Sequence, residues 1–114
     1  MWIMIAGPYG TGASNAEQRA DNSRELNRAA LEVFRKGHVP VVGVNNAVPL
    51  IEAAGPGSYD EIMMPLSLAL AERCDACLRV GGASRGADDE VSRFRAAGRP
   101  VYLSLDDVPT GLPL

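Results

Sequence analysis

Residues Trp2 to Gly10 read WIMIAGPYG, and the architecture of the chain can be worked out from this segment. Its apolar run from Trp2 to Ala6 has the length of a buried strand, and Gly7-Pro8 closes it. We expect this strand to be central in a sheet. The residues from Gly7 to Ser14 contain three glycines and a proline, so they predict a loop directly after the strand.

A second strand and glycine-rich loop occur later in the chain. Asp75 to Val80 is another apolar run, and Gly81 to Gly86, GGASRG, leads into a helical pattern from Ala87 to Ala97. Because the carboxyl ends of parallel strands lie at one edge of a sheet, we expect the two glycine-rich loops to meet there.

The rest of the chain alternates between helical and extended patterns. It first predicts a helix from Ala16 to Lys36 that stops at Gly37, and then a strand from Val39 to Val44. A long binding loop or lid over 45–58 follows, and then a helix from Tyr59 to Arg73 that Pro65 complicates. The chain ends with a strand from Val101 to Leu105 and an exposed tail from Asp106 to Leu114. This alternation predicts an α/β fold: a flavodoxin-like or Rossmann-like three-layer domain with a four- to five-stranded parallel sheet.

Composition limits the class of protein. The chain has 114 residues, of which 46% are hydrophobic and 22% charged, so we expect one globular domain over residues 1–114. A net charge of -3 disfavours long nucleic acid as a partner, because that binding needs clustered cations. The apolar start has no basic flank and stops at Gly7, which predicts a cytoplasmic protein that does not bind membranes.

Cys74 and Cys77 have the C-x-x-C spacing of redox and zinc motifs. A thioredoxin-type pair lies where a strand runs into a helix, whereas here a helical pattern runs into a strand. Structural zinc needs about four ligands, and His38 is the one further soft ligand in the chain. We therefore interpret the cysteines as reduced core thiols and expect no metal and no cofactor.

The two loops suit a small anionic or polar ligand, since glycine lets the backbone approach closely and the N–H groups of a helix start attract anions. The alternative explanation is that the glycines of the two loops only form tight turns. The first loop nearly fits the phosphate loop G-x-x-x-x-G-K-[ST], but Ala13 replaces its lysine, and neither loop has the dinucleotide signature. Nucleotide triphosphatases and dinucleotide enzymes are therefore disfavoured.

Three carboxylates, Asp88, Asp89 and Glu90, follow the second loop. A favourable interaction with the helix dipole explains Asp88 and Asp89. If the helix begins near Gly86, the side chain of Glu90 can project back toward the ligand cleft, which makes Glu90 a candidate functional residue.

Several motifs together resemble the nucleoside 2-deoxyribosyltransferase-like superfamily. They are Ile5-Ala-Gly-Pro-Tyr9, Gly37-His-Val-Pro40, Cys74-Asp-Ala-Cys-Leu-Arg-Val80 and Ser84-Arg-Gly-Ala-Asp-Asp-Glu90, whose order and spacing cover most of the chain. The chain looks most similar to a short bacterial and phage branch, with the 2'-deoxynucleoside 5'-phosphate N-hydrolases as relatives.

The resemblance implies a nucleoside or nucleotide N-glycosidase or deoxyribosyltransferase. In such an enzyme Glu90 attacks the anomeric carbon as a carboxylate, kept ionised by the helix start, and Tyr9 orients it by a hydrogen bond. Asp75 matches the acid that opens the third strand. Ser84 and Gly86 match positions that bind a 5'-phosphate, and Arg85 adds charge there.

The two glycine-rich loops add Gly7, Pro8, Gly10 and Gly82 to the expected binding surface. The chain also departs from the family pattern at one position. Ser67 occupies the position of an aspartate that handles the proton of the leaving base, and Asp60 is a conceivable substitute. Relatives of this kind complete each site with a neighbouring subunit, so we expect a homodimer or higher oligomer, with the tail from Val108 to Leu114 as an arm.

Two other functions stay open. The same cleft can belong to a non-catalytic module that binds a nucleotide or nucleotide derivative, because Ser67 is not an ordinary acid. A phosphoribohydrolase-like enzyme is the third possibility, since Gly81-Gly82 followed by Gly86 and Glu90 resembles the loop of that class.

Overall fold

The structure is a computed structural model that describes residues 1–10 and 15–114. In these residues the elements are β1 (Trp2–Ala6), α1 (Ala16–Arg35), β2 (Val39–Val41), α2 (Gly43–Ala54), α3 (Tyr59–Ala71), β3 (Ala76–Arg79), α4 (Arg85–Ala96), β4 (Val101–Tyr102) and a short 3-10 turn (Leu105–Asp107). The second part of the predicted first loop, with Ala13 of the phosphate-loop comparison, lies outside the described residues.

All described strands belong to one parallel sheet with the order β2-β1-β3-β4. β1 is central, as the sequence predicts: Met4 is in register with Val41 on one side and with Cys77 on the other. Helices cover the sheet, so the predicted α/β class is confirmed as a four-stranded, three-layer, flavodoxin- or Rossmann-like fold.

The core has two parts because β1 alternates its side chains between the two faces. Ile3 and Ile5 pack into one buried cluster, whereas Met4 and Ala6 pack into the other. The first cluster includes Leu26, Ala30 and Val33 of α1, and the second includes Ala87, Val91 and Phe94 of α4. α1 and α4 therefore cover opposite faces of the sheet.

α1 agrees with its prediction almost to the residue. Asn15 caps it, since the Asn15 side chain accepts a hydrogen bond from the Gln18 N–H at 2.9 Å. Gly37 ends it with a φ of +94°, a backbone conformation that favours glycine.

The predicted loop over 45–58 is wrong for most of its length, because α2 extends from Gly43 to Ala54. Val44 and Ala47 are buried, and Val48 and Ile51 pack against the same core cluster. This i, i+3, i+4, i+7 spacing is helical and is present in the sequence. Pro49 lies inside α2, and a proline disfavours the interior of a helix, so its presence in the sequence favours a loop. The strand predicted to reach Val44 consequently ends at Val41.

α3 also contains a proline, Pro65, and still runs from Tyr59 to Ala71. α2 and α3 pack very closely where Gly43 meets Ser67: a Cβ at position 43 would lie 2.4 Å from Ser67 Oγ. Glycine at position 43 therefore permits the close packing of α2 on α3.

The carboxyl-terminal segment is held by its own chain. β4 ends at Tyr102 rather than at Leu105. Val108 is only 1% exposed, and the Lys36 ammonium donates hydrogen bonds to the Leu105 and Val108 carbonyls at 2.7 and 3.0 Å. The prediction of an exposed arm is therefore wrong at Val108, although the residues after it are exposed. None of the described helices combines the length and apolar character needed to cross a bilayer.

Candidate functional site

A cavity of about 720 Å³ lies over the carboxyl ends of the central strands. Its floor includes Ile5 and Gly7 at the end of β1, Val42 and Gly43 after β2, and Ser84 after β3. From the adjacent strands β1 and β3 the chain continues to opposite sides of the sheet, to β2 and to β4. Ligands of open α/β sheets bind at such a switch point, and the volume suits a small organic molecule.

The walls come from α1, α2, α3 and α4. The polar side chains lining the cavity are Tyr9, Arg19, Glu52, Tyr59, Ser67, Ser84 and Glu90. The larger apolar ones are Leu26, Val44, Val48, Ile51, Met63 and Met64. An apolar pocket with a few polar groups can hold the ring of a planar ligand and orient its polar edge.

Glu90 is the one buried carboxylate among the described residues. It lies in the second turn of α4 and is only 8% exposed. Its carboxylate makes no hydrogen bond or ion pair with another described residue. Among the described residues, every fully buried side-chain oxygen has a hydrogen-bond partner, so the Glu90 oxygens are not fully buried. Its oxygens therefore keep their accessible surface toward the cavity that Glu90 lines.

Burial raises the pKa of Glu90 from 4.5 to about 7, because the surrounding protein replaces water around the charged form. The positive charge of Arg79 partly opposes this rise, and the negative charge of Asp89 adds to it. Burial therefore outweighs the stabilisation of the ionised form that we expect from the start of α4. Glu90 is five residues beyond the first helical residue, where the effect of the terminus has faded.

Tyr9 and Tyr59 line the same cavity. The Tyr9 carbonyl accepts a hydrogen bond from Asn22 Nδ2 at 2.6 Å, which holds the backbone at Tyr9 against α1. Burial, and then the nearby Tyr9, raise the pKa of Tyr59, so Tyr59 keeps its phenolic proton at neutral pH. Among the described contacts no hydrogen bond joins Tyr9 to Glu90, so the predicted orienting bond is not present in this structure.

Ser84 and Gly86 line the cavity as predicted, but the Ser84 hydroxyl is the N-cap of α4. It accepts a hydrogen bond from the Ala87 N–H at 3.2 Å, so the capping role is the one that the structure shows. A Cβ on Gly86 would lie 3.1 Å from Met64 Sδ, which lets α4 approach α3 closely.

Gly7, Gly10 and Ser67 also border the cavity, as predicted. Ser67 is buried on α3 against Gly43. Asp60, considered as its substitute, is exposed and does not line the cavity.

Four predicted residues lie elsewhere. Asp75 is exposed at the amino end of β3, where its carboxylate accepts a hydrogen bond from the Trp2 N–H at 2.8 Å. Since parallel strands all begin at the same edge, Asp75 lies at the end of the sheet away from the cavity, and we assign it no catalytic role. Pro8 and Gly82 border a second cavity of about 520 Å³ beside α1. Arg85 is exposed and lines neither cavity.

Sequence reasoning missed Arg79, at the end of β3. Its guanidinium donates hydrogen bonds to the Val80 carbonyl and, at 2.7 Å, to the Gly82 carbonyl, and it lies 3.4 Å from Asp88. Arg79 therefore fixes the turn that leads into α4 and places a positive charge near Glu90. An arginine next to the end of a predicted inner strand is the signal that could have found it.

Sequence reasoning also missed Arg19, Glu52 and Tyr59, which line the cavity from α1, α2 and α3. Tyr59 follows a glycine- and proline-rich turn, which is a usable signal for a binding residue. The prediction of a loop over 45–58 gives no reason to single out Glu52.

Cys74 and Cys77 are free and buried in the second core cluster. Burial raises their pKa values to about 11 and about 12, so both are protonated thiols at neutral pH. Neither lines the cavity, which separates the C-x-x-C motif from the site.

Comparison with protein-family models and with curated protein sequences gave no match to this chain. The chemistry of the cavity itself is therefore the basis for assigning a function.

Proposed function

We propose that the chain is an N-glycosidase or deoxyribosyltransferase that acts on a nucleoside or nucleotide through Glu90. One observation carries the proposal: a carboxylate that is more than nine-tenths buried has no described partner and borders a cavity at the switch point of the sheet. Burying such a group without a partner costs free energy, so a functional role explains it better than a structural one.

The proposed reaction begins with attack of a Glu90 carboxylate oxygen on the anomeric carbon of the bound sugar. A bond forms between that oxygen and the carbon, the bond from the carbon to the base nitrogen breaks, and its electron pair leaves with the base. The sugar passes through an oxocarbenium-like state, whose positive charge an anionic oxygen stabilises. A second base that attacks the resulting ester gives transfer, and water gives hydrolysis.

The raised pKa of Glu90 agrees with this role. At neutral pH a substantial fraction of the carboxyl is ionised, and this ionised form lacks solvation inside the protein. The developing positive charge of the sugar supplies the missing counter-charge, so Glu90 interacts more favourably with the transition state than with the empty cavity.

The remaining lining suits a nucleoside in size and chemistry. Val44, Val48 and Ile51 offer an apolar wall for a base, while the phenols of Tyr9 and Tyr59 provide hydrogen bonds at its edge. Arg19 is a basic side chain on the lining and is available to an anionic substituent such as a phosphate.

The test is base release from a panel of 2'-deoxynucleosides, ribonucleosides and their 5'-monophosphates. We expect Glu90→Gln to lower the rate by about 1,000-fold or more, because a neutral amide is a poor nucleophile. Glu61→Gln is the matched control, since Glu61 is an exposed acid on α3 that does not line the cavity. Wild-type rates in Glu90→Gln would refute the proposal.

A non-catalytic nucleotide-binding module is the second candidate. Ser67, at the position of the family's acid, packs against Gly43, and a neutral hydroxyl does not protonate a leaving base near neutral pH. Calorimetry with the same panel separates the two: heat of binding without released base favours the binding module. Preference for ribose over deoxyribose in the cleavage assay would favour the phosphoribohydrolase-like alternative.

A further inference from the structure

A second carboxylate borders the proposed site. In the described part of the chain, Glu52 and Glu90 are the two acidic residues on the cavity lining, and they come from different walls, α2 and α4. The other acids near the site, Asp60, Asp88 and Asp89, do not line it. The two carboxylates thus face one cavity from separate elements.

The surroundings of the two acids differ. Glu90 is almost fully buried, whereas Glu52 is exposed. Glu52 also borders a neighbouring open groove of about 630 Å³, shared with Tyr9 and Arg19. Glu52 therefore lies where the cavity meets the neighbouring groove, and water can reach its exposed side chain.

The Glu52 carboxylate forms no hydrogen bond or ion pair with another described residue; the ion pairs of these residues involve other acids. Arg19, close enough to line the same two cavities, is not paired with it either. Both oxygens of Glu52 are thus available to accept a proton from a bound water.

We propose that Glu52 is the general base that activates water to release the sugar from Glu90. The inference rests on the proposed function, because it concerns the second half of that reaction. Ser67 on α3 cannot serve, since it is a neutral hydroxyl packed against Gly43.

The proposed step is hydrolysis of the ester that joins the sugar to Glu90. A water oxygen attacks the anomeric carbon of the glycosyl ester, and Glu52 accepts one proton of that water. The bond from the anomeric carbon to the Glu90 oxygen breaks, and its electron pair returns to Glu90 as a carboxylate. The products are the free sugar and protonated Glu52, which then passes its proton to solvent. No oxidant, reductant or metal enters the step.

The experiment is pre-steady-state base release by Glu52→Gln. We expect a rapid burst of about one equivalent of base per active site, since the first half-reaction does not need Glu52, followed by turnover about 100- to 10,000-fold slower than wild type. Intact-protein and peptide mass spectrometry should find one added sugar, attached to Glu90.

Added azide distinguishes a missing base from a damaged fold. Azide is a strong nucleophile that needs no proton removal, so it should restore turnover in Glu52→Gln and in Glu52→Ala and yield the glycosyl azide. Glu61→Gln is the matched control: Glu61 is an exposed acid on α3 that does not line the cavity, and its variant should match wild type.

Two results would overturn the inference. One is wild-type turnover in Glu52→Gln; the other is slowed turnover with neither burst, nor accumulated sugar on Glu90, nor azide rescue. The proposed function fails separately, and removes this inference with it, if the wild-type protein releases no base from any substrate or if Glu90→Gln cleaves as fast as wild type.

Discussion

Replacing Glu90 with glutamine should stabilise the protein at neutral and alkaline pH. The wild-type side chain is 8% exposed and has no described hydrogen-bond partner, so its ionised form is poorly solvated in the folded state. Glutamine has nearly the same shape and no charge. The variant therefore removes the cost of the buried charge while leaving the volume of the cavity wall unchanged.

The magnitude follows from the pKa of Glu90, which burial raises from 4.5 to about 7. Below pH 4.5 the carboxyl is protonated in both the folded and the unfolded chain. As the pH rises to about 7, the folded state holds the proton more tightly than the unfolded state, so stability falls. Each pH unit of that window costs about 1.4 kcal/mol, which gives about 3 kcal/mol in total above pH 7.

The assay is urea unfolding of wild type and Glu90→Gln between about pH 4 and pH 9, with the free energy of unfolding compared at each pH. The variant's advantage should grow by about 3 kcal/mol across the window and then become constant. Glu61→Gln is the control, since Glu61 is an exposed acid on α3 and is not among the charges that shift the pKa of Glu90; it should show no such growth. A difference between wild type and Glu90→Gln that stays constant over the whole range would refute the reasoning.

Three further predictions concern catalysis, packing and the carboxyl-terminal segment. If ionised Glu90 is the nucleophile, kcat/KM for base release should rise with pH through about 7 and then level off; a fall over that range would instead indicate that the protonated acid is the active form. Gly43→Ala should lower the free energy of unfolding by about 1–3 kcal/mol, because the new Cβ would lie 2.4 Å from Ser67 Oγ. The Ser67→Ala background should recover part of that loss in urea unfolding, and strict additivity would contradict the assigned contact. Lys36→Met should cost about 1–2 kcal/mol, as it removes the two hydrogen bonds to the Leu105 and Val108 carbonyls. Limited proteolysis should then cut the final residues faster, and an unchanged cleavage rate would count against the anchor.

The sequence alone was sufficient to predict the parallel sheet and three of the four described helices, α1, α3 and α4. The apolar runs at β1 and β3, the glycines after them and the amphipathic pattern of α1 each reflect a local physical requirement: burial of a strand on both faces, or of one side of a helix. Glu90 followed from the same logic, because the acids after the second loop belong to a helix that starts beside the carboxyl end of a buried strand.

α2 was missed because its local signals conflict. Asn45, Asn46 and Pro49 favour a turn, whereas Val44 and Ala47 have helical spacing, and only packing on α3 and the sheet decides between them. Glu52 lies on α2, so its position on the cavity lining could not be predicted without that helix.

Asp75 lies at the start of β3, as the sequence predicts, but the predicted catalytic role does not fit this position. The cavity lies at the carboxyl ends of the strands, so the direction of β3 places Asp75 at the opposite end of the sheet.

Patterns within one or two neighbouring elements were enough to predict an α/β fold, a central β1, and a carboxylate in the helix after the second glycine-rich loop. Which residues share the cavity, and how much hydration Glu90 loses on folding, depend on packing between distant elements. Those properties arise when segments far apart in the chain, α2, α3 and α4, pack around the same strand ends, and the free energy of that packing is not encoded in any single segment.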